Sequence, residues 1–197
     1  MATFNKTSNQ VLFPIQSIPL SSVVVGSALD VQTKLGGLVY VRFGRRAATA
    51  AGAGANIRLE ASKLTSGNNS WFPFAIFTTG FAAANSNALT TAAAGATVLL
   101  TGTTTGFVQG TVATIDNSTI TLTEWVRVVS ISGGVSVTVE EGIVNTASTF
   151  NINNSAEIYA PVAIPEGAVR IRCVADGSAF TQAWVMDANV TTIDAVN

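Results

Sequence analysis

Residues 124–141, EWVRVVSISGGVSVTVEE, decide how this chain folds. Apolar and polar side chains alternate on both sides of Gly133-Gly134, and this period of two is typical of strands with one buried face. Two glycines between two such runs are a strong hairpin signal, because glycine readily adopts the positive φ that a tight turn requires. The stretch therefore predicts two antiparallel strands joined by a two-residue loop.

Further runs of this kind recur along the chain, and clusters of Gly, Asn, Asp and Ser separate them. Pro73 lies inside one run and predicts an edge strand or a bend, since proline cannot donate a hydrogen bond to a ladder. Gly36-Gly37 is expected to be a turn, and Asp176-Gly177-Ser178 is expected to close the last two strands into a hairpin. Strands are predicted at residues 22–31, 38–43, 56–62, 71–78, 96–101, 110–116, 119–132, 135–141, 158–164, 168–175 and 180–187.

Two alanine-rich segments lack the strand pattern. Residues 47–55 are expected to form an Ala/Gly loop. Residues 80–95 leave two alternatives open, a short helix around 82–89 or a linker. Alanine favours the helix, whereas the Asn and Ser side chains there compete for backbone hydrogen bonds.

Together these patterns predict an all-β fold. A jelly-roll-like β-sandwich is expected to comprise residues 21–91 and 153–197. Residues 92–152 are expected to form an inserted small β-barrel-like module, since several short strands and turns follow one another closely there. Residues 1–20 are expected to form an extended arm, because two prolines among scattered apolar residues favour an extended course.

The composition removes most of the groups on which catalysis depends. The 197 residues contain no histidine, a single cysteine, and only 11% charged side chains. Histidine is the side chain that titrates near neutral pH and the commonest metal ligand, and one cysteine cannot form an intrachain disulfide. No P-loop, GxSxG or HExxH pattern occurs. We therefore expect no enzyme, no catalytic residue, no metal and no cofactor.

Individual candidates for chemistry have simpler structural explanations. Glu140 and Glu141 are neighbours, and neighbours on a strand point to opposite faces, so they are not expected to form a carboxylate pair. Asp116-Asn117 precedes a turn, where such side chains bond their own backbone, and turn formation is preferred over calcium binding. Cys173 shares the apolar face of its strand and is expected to be a small buried hydrophobe. Trp125 and Trp184 could be platforms for sugars, but packing in a core or interface is preferred.

The charge pattern argues against nucleic acid and membranes as partners. The formal net charge is −1, and Arg42, Arg45 and Arg46 form the only local positive cluster, whereas nucleic-acid binding normally needs a stripe of Lys and Arg. A solvated or partner-paired strand end is the preferred interpretation of that cluster. No stretch reaches the ~18 uninterrupted apolar residues of a membrane span, and residues 1–20 lack the pattern of a secretory signal.

A surface with so few charges is easier to keep in solution when partners cover it. A homo-oligomer is therefore expected, a trimer or a dimer, because symmetric association buries such a surface. The apolar residues of the arm must be buried either on their own domain or on a neighbouring subunit, and both alternatives stay open. The residues expected at an interface are Phe4, Leu12, Phe13, Ile15, Arg42, Arg45 and Arg46.

The middle of the chain resembles a module of virion proteins from tailed bacteriophages. This sequence differs from such modules at Thr111, where they commonly have an acidic residue. The flanking segments 57–75 and 157–188 are similar to the sandwich part of the same proteins. The residues that carry the resemblance are Gly95–Thr97, Thr104–Phe107, Gly110, Ile115–Asn117, Glu124–Val128, Gly133-Gly134 and Val137–Val139.

The resemblance implies a structural component of a capsid or tail without catalytic residues. The function expected from it is that of a capsid decoration (cement) protein, made in the host cytoplasm and located on the exterior of the capsid rather than on the tail. Its partner would be the major capsid protein or another virion protein. The alternatives are a tail or host-attachment component whose inserted module binds glycan, and a hydrolase such as a depolymerase.

Overall fold

The computed structural model of the protein describes residues 5–19, 21–46, 55–68, 70–79, 85–90, 92–116, 122–145, 150–177 and 184–194. Every regular element in these residues is a β-strand, and none of them forms a helix long and apolar enough to cross a membrane. The strands are β1 (Asn5–Ile18), β2 (Val23–Val25), β3 (Leu29–Asp30), β4 (Lys34–Arg45), β5 (Ala55–Ser62), β6 (Trp71–Thr79), β7 (Ser86–Ala88), β8 (Val98–Leu100), β9 (Val112–Asp116), β10 (Glu124–Ser132), β11 (Ser136–Val139), β12 (Asn151–Ile158), β13 (Val162–Ala163), β14 (Arg170–Asp176) and β15 (Trp184–Asp194). The predicted all-β class is confirmed.

The strands form two antiparallel sheets. The larger has ten strands in the order β1-β15-β4-β12-β9-β10-β11-β8, with β13 beside β4 and β7 beside β12. The smaller has five strands in the order β2-β14-β5-β6, with β3 also beside β14. Neither sheet closes on itself, so β1, β8, β2 and β6 are edge strands. The barrel-like closure expected for residues 92–152 is wrong, because β8 to β11 extend the open larger sheet.

The two sheets share one hydrophobic core. The larger sheet contributes Phe13, Phe43 and Trp184, and the smaller contributes Leu59 and Ile171, all of them fully buried. Each such side chain contributes about 1.5–3 kcal/mol by leaving water, so this packing holds the sheets face to face as a sandwich.

Strands β8 to β12 of the larger sheet build a second hydrophobic core, whose residues lie in the sequence range 89–152. Its fully buried members include Leu99, Val128 and Val137. Val128 and Val137 belong to the hairpin of residues 124–141, in which apolar residues alternate with polar ones. The alternation thus places one face of this hairpin in the second core.

The hairpin at Gly133-Gly134 forms, but its loop is one residue longer than predicted. Ser132 pairs with Ser136, so Gly133, Gly134 and Val135 make a three-residue connection. Gly134 has φ 69°, and a residue in this left-handed region is what a three-residue hairpin requires. The positive φ explains why glycine serves there.

Two predicted turns are wrong. Gly36 and Gly37 lie inside β4, where a Cβ on Gly37 would meet the Thr191 carbonyl oxygen at 2.6 Å. Gly37 therefore permits close approach of a neighbouring strand. The hairpin expected at Asp176-Gly177-Ser178 is absent from the described residues, because β14 belongs to the smaller sheet and β15 to the larger. Ser178 itself lies outside the described residues.

The strand β12 was not predicted, although it joins the two halves of the larger sheet. It pairs with β4 through Glu157 and Ile158 and with β9 through Asn151 to Ala156. Its sequence NINNSAEI is rich in Asn, which is depleted in strands. Of the strand predicted at 158–164, the structure has Ile158 at the end of β12 and Val162–Ala163 as β13. In the segment 80–95, residues Ser86–Ala88 form β7 rather than the helix or linker expected.

Candidate functional site

The N-terminal segment is a strand of the protein's own sheet. β1 pairs with β15 from Asn5↔Asp194 to Ile18↔Trp184. Leu12 and Phe13 are 1% and 0% exposed, and a register shift between Val11 and Phe13 lets these two adjacent residues both turn inward.

This placement corrects the expected arm. Burial in the chain's own core leaves Leu12 and Phe13 no surface for contact with a neighbouring subunit. Ile15 is half-buried on the same strand, and Phe4 lies outside the described residues. Of the four apolar interface candidates, Ile15 is the one whose side chain the structure places partly at the surface.

The three arginines expected at an interface are each engaged within the chain. Arg46 Nε donates to Asp116 Oδ2 at 2.9 Å, whereas the turn expected after Asp116 lies outside the described residues. Arg45 is 1% exposed, and burial lowers the pKa of its guanidinium, opposed by the nearby charge of Glu157. Only Arg42 combines an ion pair with substantial exposure of its side chain, 39%.

Arg42 lies in a groove where the sandwich meets the inserted segment. The groove has a volume of about 410 Å³, within the range typical of small-ligand sites. Strands β4, β9, β10 and β12 supply its walls together with the residues that follow β11. The lining residues are Arg42, Val112, Thr123, Glu124, Trp125, Val126, Arg127, Glu140, Glu141, Gly142, Val144 and Ile158.

Trp125 and Arg42 contact each other within this groove. The Arg42 guanidinium lies 4.4 Å from the centroid of the Trp125 ring. Its Nε donates to Asp187 Oδ1 at 2.9 Å, and its Nη2 bonds the second oxygen of that carboxylate. Trp125 Nε1 donates to the Phe43 carbonyl oxygen at 3.1 Å. The bidentate pair and the cation–π contact hold the guanidinium in one orientation.

The three glutamates that line the groove differ in their hydrogen bonds and ion pairs. Both carboxylate oxygens of Glu124 accept backbone N–H groups at 2.8 Å, from Val144 and from Asn145. Glu140 lies 3.3 Å from Arg127 Nε in an exposed ion pair. Glu141 has no hydrogen bond or ion pair to any described residue. Glu140 and Glu141 follow the end of β11 at Val139 and both line the groove, so the strand alternation that was expected to put them on opposite faces does not apply to them.

A second polar cluster on the outer face of the smaller sheet was missed by the sequence analysis. Arg172 Nε donates to Glu60 Oε2 at 2.7 Å. The Trp71 ring lies 4.2 Å from the Arg172 guanidinium and 5.0 Å from that of Arg170. The alternation of Arg170 and Arg172 along β14 was the available signal. These contacts tie β5, β6 and β14 together from outside the core.

Cys173 is fully buried, as its apolar strand face indicated. Burial raises the pKa of its thiol, and the negative charges of Glu60 and Asp187 raise it further. The thiolate is the reactive form of cysteine, so this side chain is inert in the folded protein. Within the described part of the chain, no group of three or more acidic or cysteine side chains is arranged to hold a metal ion.

The edge strands form the other distinctive surface. Each of the four carries a large aliphatic side chain that is more than half exposed: Val11 on β1 (60%), Val25 on β2 (52%), Ile76 on β6 (58%) and Val98 on β8 (52%). Strands β2, β6 and β8 contain no charged residue. Pro73 and a register shift interrupt β6, whose predicted position at an edge is confirmed.

Comparison with known proteins adds no further assignment. No family model, no curated protein and no solved structure matches this chain.

Proposed function

We propose that this protein is a bacteriophage virion component, a capsid decoration (cement) protein that binds the assembled head and stabilises it through contacts between subunits. The observation that supports this most is the set of four sheet edges with exposed aliphatic side chains, although on β8 the Leu100 carbonyl oxygen already accepts a hydrogen bond from Thr90 N–H at 3.0 Å. An edge strand presents unpaired N–H and C=O groups, and monomeric proteins commonly protect such edges with charged residues. Three of these four edges carry no charge.

Exposed edges favour association for two physical reasons. Backbone groups at an edge form hydrogen bonds when a strand of a partner aligns with them. Aliphatic side chains beside them leave water in the same step, with about 25 cal/mol gained per Å² of apolar surface buried. A chain with 11% charged residues has little electrostatic repulsion to oppose such contacts. The partners we propose are copies of this chain and the major capsid protein.

Stabilisation of the head then follows from mass action. A protein that binds the assembled shell, but not its dissociated subunits, lowers the free energy of the assembled state. At a free concentration of about one hundred times Kd, the gain is about 2.7 kcal/mol per site. Many sites on one shell make the total effect large, although each contact is modest.

The test is to add the purified protein to heads that lack it and to measure the temperature at which the shells rupture. Wild-type protein is expected to bind and to raise that temperature in proportion to occupancy. Val25→Lys, Ile76→Lys and Val98→Lys each place a charge on one edge, and at least one of them is expected to weaken binding about tenfold or more. Failure of the wild-type protein to bind any head would remove the proposal.

Val129→Lys is the matched control. Val129 is 41% exposed, but it lies on β10, an inner strand between β9 and β11. The same change of charge and volume is therefore made away from any edge. Equal weakening by Val129→Lys and by the edge variants would show that the edges have no special part in binding.

A further inference from the structure

The groove beside Trp125 contains one oriented hydrogen-bond donor without a partner. Two nitrogens of the Arg42 guanidinium are bonded to the buried carboxylate of Asp187. The third, Nη1, has no hydrogen-bond partner in the described residues, and the ring of Trp125 holds the guanidinium plane in place. A donor held in this way loses little entropy when a ligand binds it.

The same groove contains a hydrogen-bond acceptor that also has no partner among the described residues. Glu141 is exposed, lines the groove, and has no bonded partner among the residues that the structure describes. Apolar surface lies beside these two groups, because Ile158 and Val144 are 52% and 77% exposed. The groove thus offers a charged donor, a charged acceptor and aliphatic surface within one concavity.

The charges of the groove select against an anionic ligand. Asp187 neutralises Arg42 and Glu140 neutralises Arg127, whereas Glu141 has no cation beside it. A phosphate or carboxylate would therefore meet an unopposed negative charge. A neutral sugar matches the arrangement better, since its hydroxyl groups both donate and accept and its C–H faces pack on apolar side chains.

We propose that this groove is a binding site for a neutral carbohydrate. Arg42 Nη1 donates to one hydroxyl oxygen, Glu141 accepts from another hydroxyl, and Val144 and Ile158 contact the C–H face of the ring. A volume of about 410 Å³ accommodates one or two sugar residues. The proposal does not depend on binding to a capsid, because the groove is formed within a single chain.

The experiment is to apply the labelled full chain to a printed array of neutral oligosaccharides, of uronic-acid-containing ones and of phosphorylated ones. Neutral oligosaccharides are expected to retain the protein and the acidic classes are not. In two-dimensional ¹H–¹⁵N spectra, the array-selected oligosaccharide is then expected to shift the indole N–H signal of Trp125. The signals of Trp71 and Trp184 should stay in place, since both lie away from the groove.

Glu141→Ala tests the hydrogen-bond acceptor. The affinity of this variant for that oligosaccharide is expected to fall about tenfold, the size typical of the loss of a hydrogen bond to a charged group. Glu166→Ala is the matched control, because Glu166 is also exposed but lies outside the groove. Retention of the control with loss in Glu141→Ala supports the site. No retention on neutral sugars, preference for acidic ones, or equal affinity of both variants would overturn it.

Discussion

Phe13→Ala tests whether β1 is an integral strand of the sandwich. The Phe13 side chain is 0% exposed and belongs to the core that both sheets share. It also packs so closely against Gly26 that a Cβ placed there would lie 2.9 Å from Phe13 Cδ2. Truncation of a buried phenylalanine to alanine costs about 3–5 kcal/mol, because it removes apolar burial and leaves a cavity.

The assay is equilibrium unfolding in urea, followed by tryptophan fluorescence and by circular dichroism. With a slope of about 2 kcal/mol per molar urea, a loss of 3–5 kcal/mol lowers the midpoint by about 1.5–2.5 M. Val11→Ala on the same strand is the control. Val11 is 60% exposed, so its truncation is expected to change stability by about 0.5 kcal/mol or less.

Two outcomes would show that this reasoning is wrong. A loss below about 1 kcal/mol in Phe13→Ala would mean that residues 5–18 are a loosely attached arm. Equal losses in Phe13→Ala and Val11→Ala would contradict the difference in burial between the two side chains. If Phe13→Ala does not fold at all, Phe13→Leu keeps the test open, with a smaller loss expected at the same site.

Three further predictions follow from local contacts. Gly26→Ala should destabilise the protein by about 1–3 kcal/mol in the same urea assay, because the added Cβ meets the Cys173 and Leu12 carbonyl oxygens at 3.0 and 3.1 Å; wild-type stability would contradict this packing. Cys173 should resist alkylation by iodoacetamide until the protein unfolds, as measured by mass spectrometry, and rapid labelling of the native protein would refute its burial. Hydrogen bonds from Lys34 and Thr7 lower the pKa of Asp194, so the ionised carboxylate contributes fully to the stability of the fold above about pH 4. This contribution is lost as the pH falls through the lowered pKa. The difference in free energy of unfolding between wild type and Asp194→Asn should therefore become smaller from pH 6 to pH 2.5. A difference that stays constant would show that ionisation of Asp194 does not stabilise the fold.

Local side-chain patterns predicted much of the fold. The alternation in residues 124–141 indicated both strands of the hairpin, and the alternation in residues 56–62 identified Ile57, Leu59 and Ala61 as the buried face of β5. These predictions succeed because one face of each strand must be apolar to reach a core. The position of Pro73 likewise indicated an edge strand, since its missing N–H is tolerated there.

Features that depend on distant contacts could not be predicted in this way. The Asn-rich strand β12 forms because β4, β7 and β9 offer it backbone partners, and no local pattern marks it. Gly37 resembles a turn residue in sequence, but it serves close packing against Thr191.

The candidate groove was only partly visible in the sequence. Trp125 could be singled out as a possible sugar platform, but its neighbour Arg42 is 83 positions away in the sequence, and Asp187, which binds Arg42, lies 145 positions beyond Arg42. The contact between Arg42 and Trp125 depends on the strand order of the larger sheet, in which only β12 and β9 lie between β4 and β10, and no spacing in the sequence reveals that order. No local pattern indicates that Glu140 pairs with Arg127 whereas Glu141 has no bonded partner among the described residues.

The central claim is that the protein acts as part of a larger particle. Negative-stain electron microscopy of virions that carry a gold-labelled copy of the chain tests it most directly. We expect the label on the outer surface of the head, at regular positions set by the symmetry of the shell. Label confined to the tail, or absent from purified particles, would contradict the account.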